Sequence, residues 1–495
     1  MTGSNTIDRT FNCGYRSRVR LGMGCALISG LLSACTVGPD YRRPEVETPN
    51  AWKIDPEYSY WHPVAPQPLS KDWWTVFGID ELDALERTAL ESNQTLREAV
   101  AHYDQSRATL SSVSSEQLPQ IGLTAELDRR RISANRPLTD YESPNKSTTQ
   151  NNVVAAFSAS YELDLFGRIR REVESAKAYT QQQADDLSNA RLVITAQLAT
   201  TYFALRAVDA EGDVLTRLIA WQQKALDFVS AQNSLGQVSE LIVLQQRAQL
   251  DTTRTQARLL LTRRAQYEHA VAAMIGVPAP QFSLTPKVDP LTLPVLPTGM
   301  PSELLLRRPD LASAERAMAA ANARIGAARA AYFPSLTLSP EVGWQSTRFA
   351  TLTNAPSMIW SLGTSIGQTL FDGGRNAAEV AYAQAGYVAA NAHYRATVLT
   401  AFQEVQDAVS NLAVLDAALH DVNASVDDAQ QLVNLSTYRY RDGLVDYLDV
   451  ITAQQQLLNS ERQRARIKGR QAASLIFLAK ALGGGWKDDS VVQRN

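Results

Sequence analysis

Two periodicities meet between Phe157 and Leu235. Phe157, Ala159, Tyr161, Leu163 and Leu165 alternate with Ser158, Ser160, Glu162 and Asp164, the period of two of a strand with one apolar and one wet face. At Phe166-Gly167 the alternation gives way to a helical pattern, and no proline occurs from Gly167 to Val277. The spacing predicts a helix over 167–235, roughly 100 Å long at 1.5 Å per residue. Helices that fill ordinary domain cores run to about three turns.

The same elements recur along the chain. A helical stripe of Leu82, Leu85, Ala89, Leu96 and Ala99 predicts one helix from Ile79 to about Val113. Leu118-Pro119 breaks it, and Ile121, Leu123, Ala125 and Leu127 then alternate with Gly122, Thr124, Glu126 and Asp128 as another strand. Arg129–Asn152 is polar and turn-rich and reads as an exposed loop. Gly236 ends the long helix, and a partner helix runs back over about Ser239–Ile275. Val277–Pro301, with seven prolines, reads as an irregular connection. Phe333-Pro334 then echoes Leu118-Pro119. Leu336, Leu338, Val342 and Trp344 alternate with Thr337, Ser339, Glu341 and Gln345, and a fourth strand is expected around Trp360–Leu370. A second long helix spans about Arg375–Arg441, Gly443 ends it, and a return helix reaches Leu482. The chain is a tandem repeat of helix, two strands and two helices.

Composition changes the picture mainly at the N-terminus. The three cysteines, Cys13, Cys25 and Cys35, all lie in the first 35 residues, so the remainder has neither a disulfide framework nor a cysteine metal site. Arg16, Arg18 and Arg20 precede an apolar run, Leu21–Leu32, which is too short to span a bilayer. Leu32-Ser33-Ala34-Cys35 follows, and it resembles a bacterial lipobox. Cleavage there leaves Cys35 as the acylated first residue, and several acyl chains together hold a protein firmly to a membrane. The leader carries four arginines and one aspartate against a whole-chain charge of −3, which leaves the mature chain near −6. No basic footprint for nucleic acid is present. Thr36 to about Lys71 is proline-rich and punctuated by Trp52, Trp61, Trp73 and Trp74, and it reads as an extended strap packed on the helical body.

The resulting domain division is a lipoprotein signal peptide (1–34), a lipidated strap (35–78), a first repeat (79–300), a second repeat (301–486) and a tail (487–495). The first repeat has strands at about 119–166, a helical hairpin over 167–276 and the proline-rich segment 277–300. The second has strands at about 334–371 and a hairpin over 372–482.

The chemistry-bearing residues do not form an enzyme site. His62, His102, His269, His393 and His420 are scattered without metal-ligand spacing, and no glycine loop followed by Lys-Ser/Thr is present. Gly483-Gly484-Gly485 reads as a helix C-terminus. Arg307-Arg308-Pro309-Asp310 reads as a helix start, with proline where an N–H is expendable and Asp310 near the positive end of the dipole. No enzymatic activity, cofactor or metal is expected beyond the covalent lipid on Cys35.

Four membrane-type strands cannot close a barrel, and lipid tolerates no open sheet edge, so several chains must pool their strands. The economical solution is a tube, its β-barrel in the outer membrane with a wet lumen and an α-barrel crossing the periplasm. Several motifs carry a resemblance at this point: Cys35-Thr36-Val37-Gly38-Pro39-Asp40-Tyr41 with Arg43-Pro44; Trp73-Trp74; Leu306-Arg307-Arg308-Pro309-Asp310-Leu311; Ile325-Gly326-Ala327-Ala328-Arg329; Phe333-Pro334; and Leu482-Gly483-Gly484-Gly485-Trp486. Over its whole mature length the chain resembles an outer membrane factor of the TolC/OprM type, in the NodT-like lipoprotein branch.

The resemblance implies a mainly α, α+β fold in a homotrimer of twelve strands and twelve helices. It implies an exit duct for a tripartite efflux pump that passes drugs, metals or other small molecules. The implied partners are a periplasmic adaptor, an inner-membrane pump of the resistance-nodulation-division class and outer-membrane lipid. Thr36 after the cysteine suits outer-membrane sorting. The hairpin tips at Gly236 and Gly443 become the periplasmic entrance. Leu448 falls on the family's gate leucine and Asp449 on its first gate aspartate, while Thr452 replaces the second. Tyr440 matches a latch tyrosine whose arginine and aspartate partners are replaced by Val445 and Ile242. Closure is therefore expected to lean on Leu448 and Asp449. The alternatives are a type I protein secretion duct and a structural periplasmic coiled-coil lipoprotein.

Overall fold

The computed structural model describes residues 36–53, 70–135, 145–288, 293–294 and 307–486. The leader, Cys35, Trp61 and the tail 487–495 lie outside the described residues, as does part of the proline-rich connection. The described elements are α1 (Asp80–Ser92), α2 (Gln94–Ser115), β1 (Gln120–Ile132), β2 (Thr148–Leu163), α3 (Arg168–Ser234), α4 (Glu240–Met274), α5 (Pro309–Ala330), β3 (Ser335–Ser346), β4 (Met358–Gly367), α6 (Arg375–Arg441) and α7 (Tyr447–Ala481). Helix, two strands and two helices are thus traversed twice. The long helices α3 and α6 both have 67 residues, and their partners α4 and α7 both have 35. The chain forms two compact units.

The first unit comprises Met1–Arg43, Ser106–Thr180 and Ala317–Asn391. It holds one antiparallel sheet in the order β1-β2-β3-β4. Register carries one apolar face across all four strands. Leu123 pairs with Phe157, Phe157 with Val342, and Val342 with Trp360. The opposite face is polar, with Ser158 against Glu341 and Glu341 against Ser361, and Gln345 donating to Asn152 Oδ1 at 2.7 Å. Ile121, Leu127, Trp360, Leu362 and Ile366 are each more than 70% exposed, a large continuous apolar surface. No helix among the described residues is long and apolar enough to cross a membrane.

Three expectations shift here. Arg129–Asn152 is not all loop, because the β1–β2 ladder continues through Arg129↔Asn151 to Ile132↔Thr148. Backbone pairing persists there although the alternation of side chains has stopped. β4 ends at Gly367, short of Leu370. The first helix is broken at Asn93, whose backbone is extended. Its side chain donates to Met274 O (2.8 Å) and accepts from Leu96 N (3.1 Å), so a bond made across the fold splits α1 from α2.

The second unit comprises Pro44–Gln105, Gln181–Arg316 and Ala392–Asn495. Its core runs along the helix pairs through Leu198, Tyr202, Phe203, Leu205, Leu215, Leu250, Leu475 and Ile476. Two described pieces of the strap pack on it: Trp52 lies against Phe402, Lys53 exchanges two hydrogen bonds with Gln406, and Trp73 Nε1 donates to Thr195 Oγ1 at 3.2 Å. The Arg307–Asp310 motif is a helix start, and it is also an ion clamp. Buried Arg308 holds Asp310 through both carboxylate oxygens (2.6 and 3.0 Å), and it reaches Glu404 at 2.6 Å and Ala481 O at 3.2 Å.

Candidate functional site

The hairpin turns of the second unit are built alike. Gly236 (φ 73°) and Gly443 (φ 70°) each adopt the left-handed conformation that closes a helix. Gln237 N donates to Gln232 O at 2.9 Å, and Leu444 N to Arg439 O at 2.8 Å, so both turns satisfy the last helical carbonyls in the same way. Three residues after each glycine comes a polar N-cap, Ser239 or Asp446. The Ser239 side chain accepts from Leu241 N (3.2 Å), whereas Asp446 makes no side-chain cap bond.

Below the turns Val229, Val243, Tyr447 and Val450 form one buried cluster, ringed by Trp221, Leu226, Ile242, Tyr440 and Ile451. Val243 and Val450 occupy equivalent places in the two hairpins, so the repeats meet through matching positions. Tyr440 meets Tyr447 edge to face with centroids 5.0 Å apart. Tyr447 Oη donates to Gln246 Oε1 (3.1 Å), and Gln246 Nε2 donates to Gln222 O (3.0 Å). Burial, reinforced by Tyr440, pushes the Tyr447 phenol up to about 12, and burial also raises that of Tyr440. Among the described residues the Tyr440 hydroxyl has no hydrogen-bond partner. Ile242 lies beside it in the apolar ring.

Leu448 and Asp449 lie on the first turn of α7, next to Tyr447, and both are exposed. The structure therefore brings together Tyr440, Ile242 and the two turns, and leaves Leu448 and Asp449 facing outward. The reading of single motifs missed Tyr447, Val243 and Gln246. Aligning the hairpins on their glycines marks Val243 and Val450, but nothing in the sequence pairs Tyr447 with Gln246.

A second constellation lies in the first unit. Val37 N donates to Phe166 O (3.1 Å), and a side chain on Gly167 would meet Thr36 Cγ2 at 2.7 Å. Arg171 is buried and reaches Asp40 at 2.8 Å and Val37 O at 3.3 Å. Asn322 Nδ2 donates to Pro39 O (2.8 Å), and Gly38 packs on the backbone of Gly326. The Thr-Val-Gly-Pro-Asp and Ile325–Arg329 motifs are the two sides of one joint. It fixes the residue after Cys35 at the junction of β2 and α3, where Phe166 stacks on Phe333 (4.7 Å).

The model of the outer membrane efflux protein family matches residues 85–277 and 300–484. The chain belongs to the outer membrane efflux protein family. It is 30% identical to the probable efflux pump outer membrane protein SepC of Pseudomonas putida over 468 residues, 94% of this chain and 96% of that protein. It is equally similar to the toluene efflux pump outer membrane protein TtgF of the same species, over the same shares of both chains. Among solved structures, the outer-membrane channel OprN matches with a TM-score of 0.84 at 28% identity, covering 92% of this chain and all of that one. The CmeC outer membrane channel of Campylobacter jejuni matches with 0.85 at 25%, covering 93% and 97%.

This outer membrane efflux protein is the outer-membrane channel of an efflux system, with the fold of the TolC-like channels. Its family is one of ducts, not of enzymes.

Proposed function

We propose that three copies pool their sheets into one closed barrel in the outer membrane, and that their long helices line a periplasmic duct gated at the hairpin turns. Leu448 and Asp449 of each copy form the constriction, and the Tyr440–Tyr447 pair sets the position of the turn that carries them. The duct receives drugs, metals or other small molecules from a periplasmic adaptor and an inner-membrane pump of the resistance-nodulation-division class. The pump chooses the cargo, since a passive lumen selects only by size and crude charge. Cys35 carries the lipid, and its neighbour Thr36 is held at the strand–helix junction, the level at which the inner leaflet meets the periplasm.

The observation that carries this reading is the sheet: four strands with a continuous apolar face and two unpaired edges, β1 and β4. Neither edge is tolerable in lipid unless another copy pairs with it. Light scattering of the detergent-purified protein tests it. A trimer that does not dissociate reversibly into folded monomers is expected, and a well-behaved monomer still rich in β-structure overturns it.

A further inference from the structure

The membrane-facing side of the sheet changes character at the end away from the helices, where its apolar run stops. All four helix-linked strand ends (Gln120, Leu163, Ser335 and Gly367) lie on one side of the sheet, and both hairpin connections lie on the other. With the helices in the periplasm, the connections face outward from the cell. On β2 the apolar face runs from Val153 to Leu163. That is about 33 Å along the strand, or about 25 Å of membrane at the usual tilt of about 40°, the height of an outer-membrane apolar band. Leu127 pairs with Val153 and so marks the outer edge of that band. Trp344, which pairs with Ala155, lies near the same edge, as interfacial aromatics do.

The next two outward-facing positions on β1 are Arg129 and Arg131, paired with Asn151 and Thr149. Both arginines are exposed. Arg131 Nε donates to Ser147 Oγ (3.0 Å), and among the described residues Arg129 has no ion-pair partner. The nearest acid on β1, Asp128, belongs to the opposite face, where it approaches Arg130 at 3.7 Å. The β3–β4 connection, Thr347–Ser357, has no acidic residue and adds Arg348. Two guanidinium groups therefore project at headgroup height, directly beyond an apolar stripe, with no carboxylate on their face of the ladder. A cation there faces the phosphates of the outer leaflet, and guanidinium binds phosphate in bidentate fashion.

We infer that Arg129 and Arg131 form a binding site for the phosphorylated glycolipid of the outer leaflet, the acyl chains lying along Leu127, Leu123 and Phe157. The inference rests on the barrel proposed above. Binding of bisphosphorylated lipid A and of its dephosphorylated form to delipidated protein in detergent tests it, with light scattering on every sample. The phosphorylated lipid is expected to bind the wild type, with inorganic phosphate unable to displace it. R129Q/R131Q should bind at least about tenfold more weakly, R129K/R131K, which keeps the charge and loses the bidentate fork, should fall between it and wild type, and R130Q, altered on the lumenal face, should match wild type. Equal binding of the dephosphorylated lipid, or full binding by a trimeric R129Q/R131Q, overturns the inference while leaving the barrel intact. A wild-type protein that is not a trimer overturns the barrel and the inference with it.

Discussion

The ring of Tyr440, near the end of α6, meets the ring of Tyr447, on the first turn of α7, edge to face at 5.0 Å. The contact closes the second hairpin over an apolar cluster that includes Val243 of the first. Edge-to-face pairs add about 0.5–1.5 kcal/mol beyond burial, and Tyr447 adds a buried hydrogen bond to Gln246. Tyr447→Ala therefore costs about 3 kcal/mol locally, and Tyr447→Phe about 1. Limited proteolysis should show cleavage near Gly443 rising strongly in the alanine variant and little in the phenylalanine one. Equal resistance of all three proteins contradicts a structural role for the pair.

The joint at Thr36 makes a prediction about anchoring. Intact mass of the purified protein should show a chain beginning at Cys35 with acyl additions, and a different N-terminus with a free thiol sinks that reading. Gly167 has a φ of +84° and touches Thr36, whereas Gly373 has a φ of +67° with nothing near its missing side chain. Substituting alanine imposes backbone strain at both positions, and at Gly167 it also drives into the joint. Gly167→Ala should lower the yield of assembled protein far more than Gly373→Ala.

Glu86 is fully buried on α1, and among the described residues both of its carboxylate oxygens lack a hydrogen-bond partner. Burial, with Asp83 nearby, pushes its carboxyl from 4.5 up to about 9. A folded-state pKa raised this far means that the neutral acid suits the fold. Its contribution is whole below about pH 4.5 and is lost progressively as pH rises towards 9. By pH 7 the loss is about 3 kcal/mol. The thermal midpoint of the helical signal should therefore fall across this range in wild type, and Glu86→Gln should flatten the fall. Parallel profiles for the two proteins exclude Glu86 as the source.

The helices were legible because their signals are local. Absence of proline, a sustained helical pattern and the breaking glycines Gly236 and Gly443 place the ends of α3, α4, α6 and α7 to within a residue or two. Strands were legible where one face meets lipid, so Leu123 and Phe157 announced themselves. Arg129–Ile132 did not, because both faces there are polar. The break at Asn93 depends on the carbonyl of Met274, and Arg308 depends on Glu404, 96 residues away. Such bonds leave no period in the sequence. The hairpin turns were visible as glycines, yet the Tyr447–Gln246 bond beneath them was not.

Closure of the duct is the final prediction. Leu448 and Asp449 are exposed on the first turn of α7, beside the buried Tyr447. In the proposed trimer an exposed leucine at this turn would act as an apolar plug, since packing against its symmetry mates would remove it from water. The carboxylates work the other way. If three copies of Asp449 converge to about 6 Å, each pair repels by about 3 kcal/mol at an effective dielectric of 20. That is comparable to the burial of one leucine, about 1.5–3 kcal/mol, so Asp449 tempers closure and favours a cation in the ring. Ile242 and Val445 offer no polar latch, so in the proposed gate Leu448 is the expected closing contact. Leu448→Ala with Asp449→Ala should raise single-channel conductance and sensitise cells to bulky antibiotics such as vancomycin. Asp449→Ala alone should change cation selectivity while leaving the channel closed to such molecules. Unchanged conductance and sensitivity in the double variant, with normal amounts of trimer, would place the gate elsewhere in the duct.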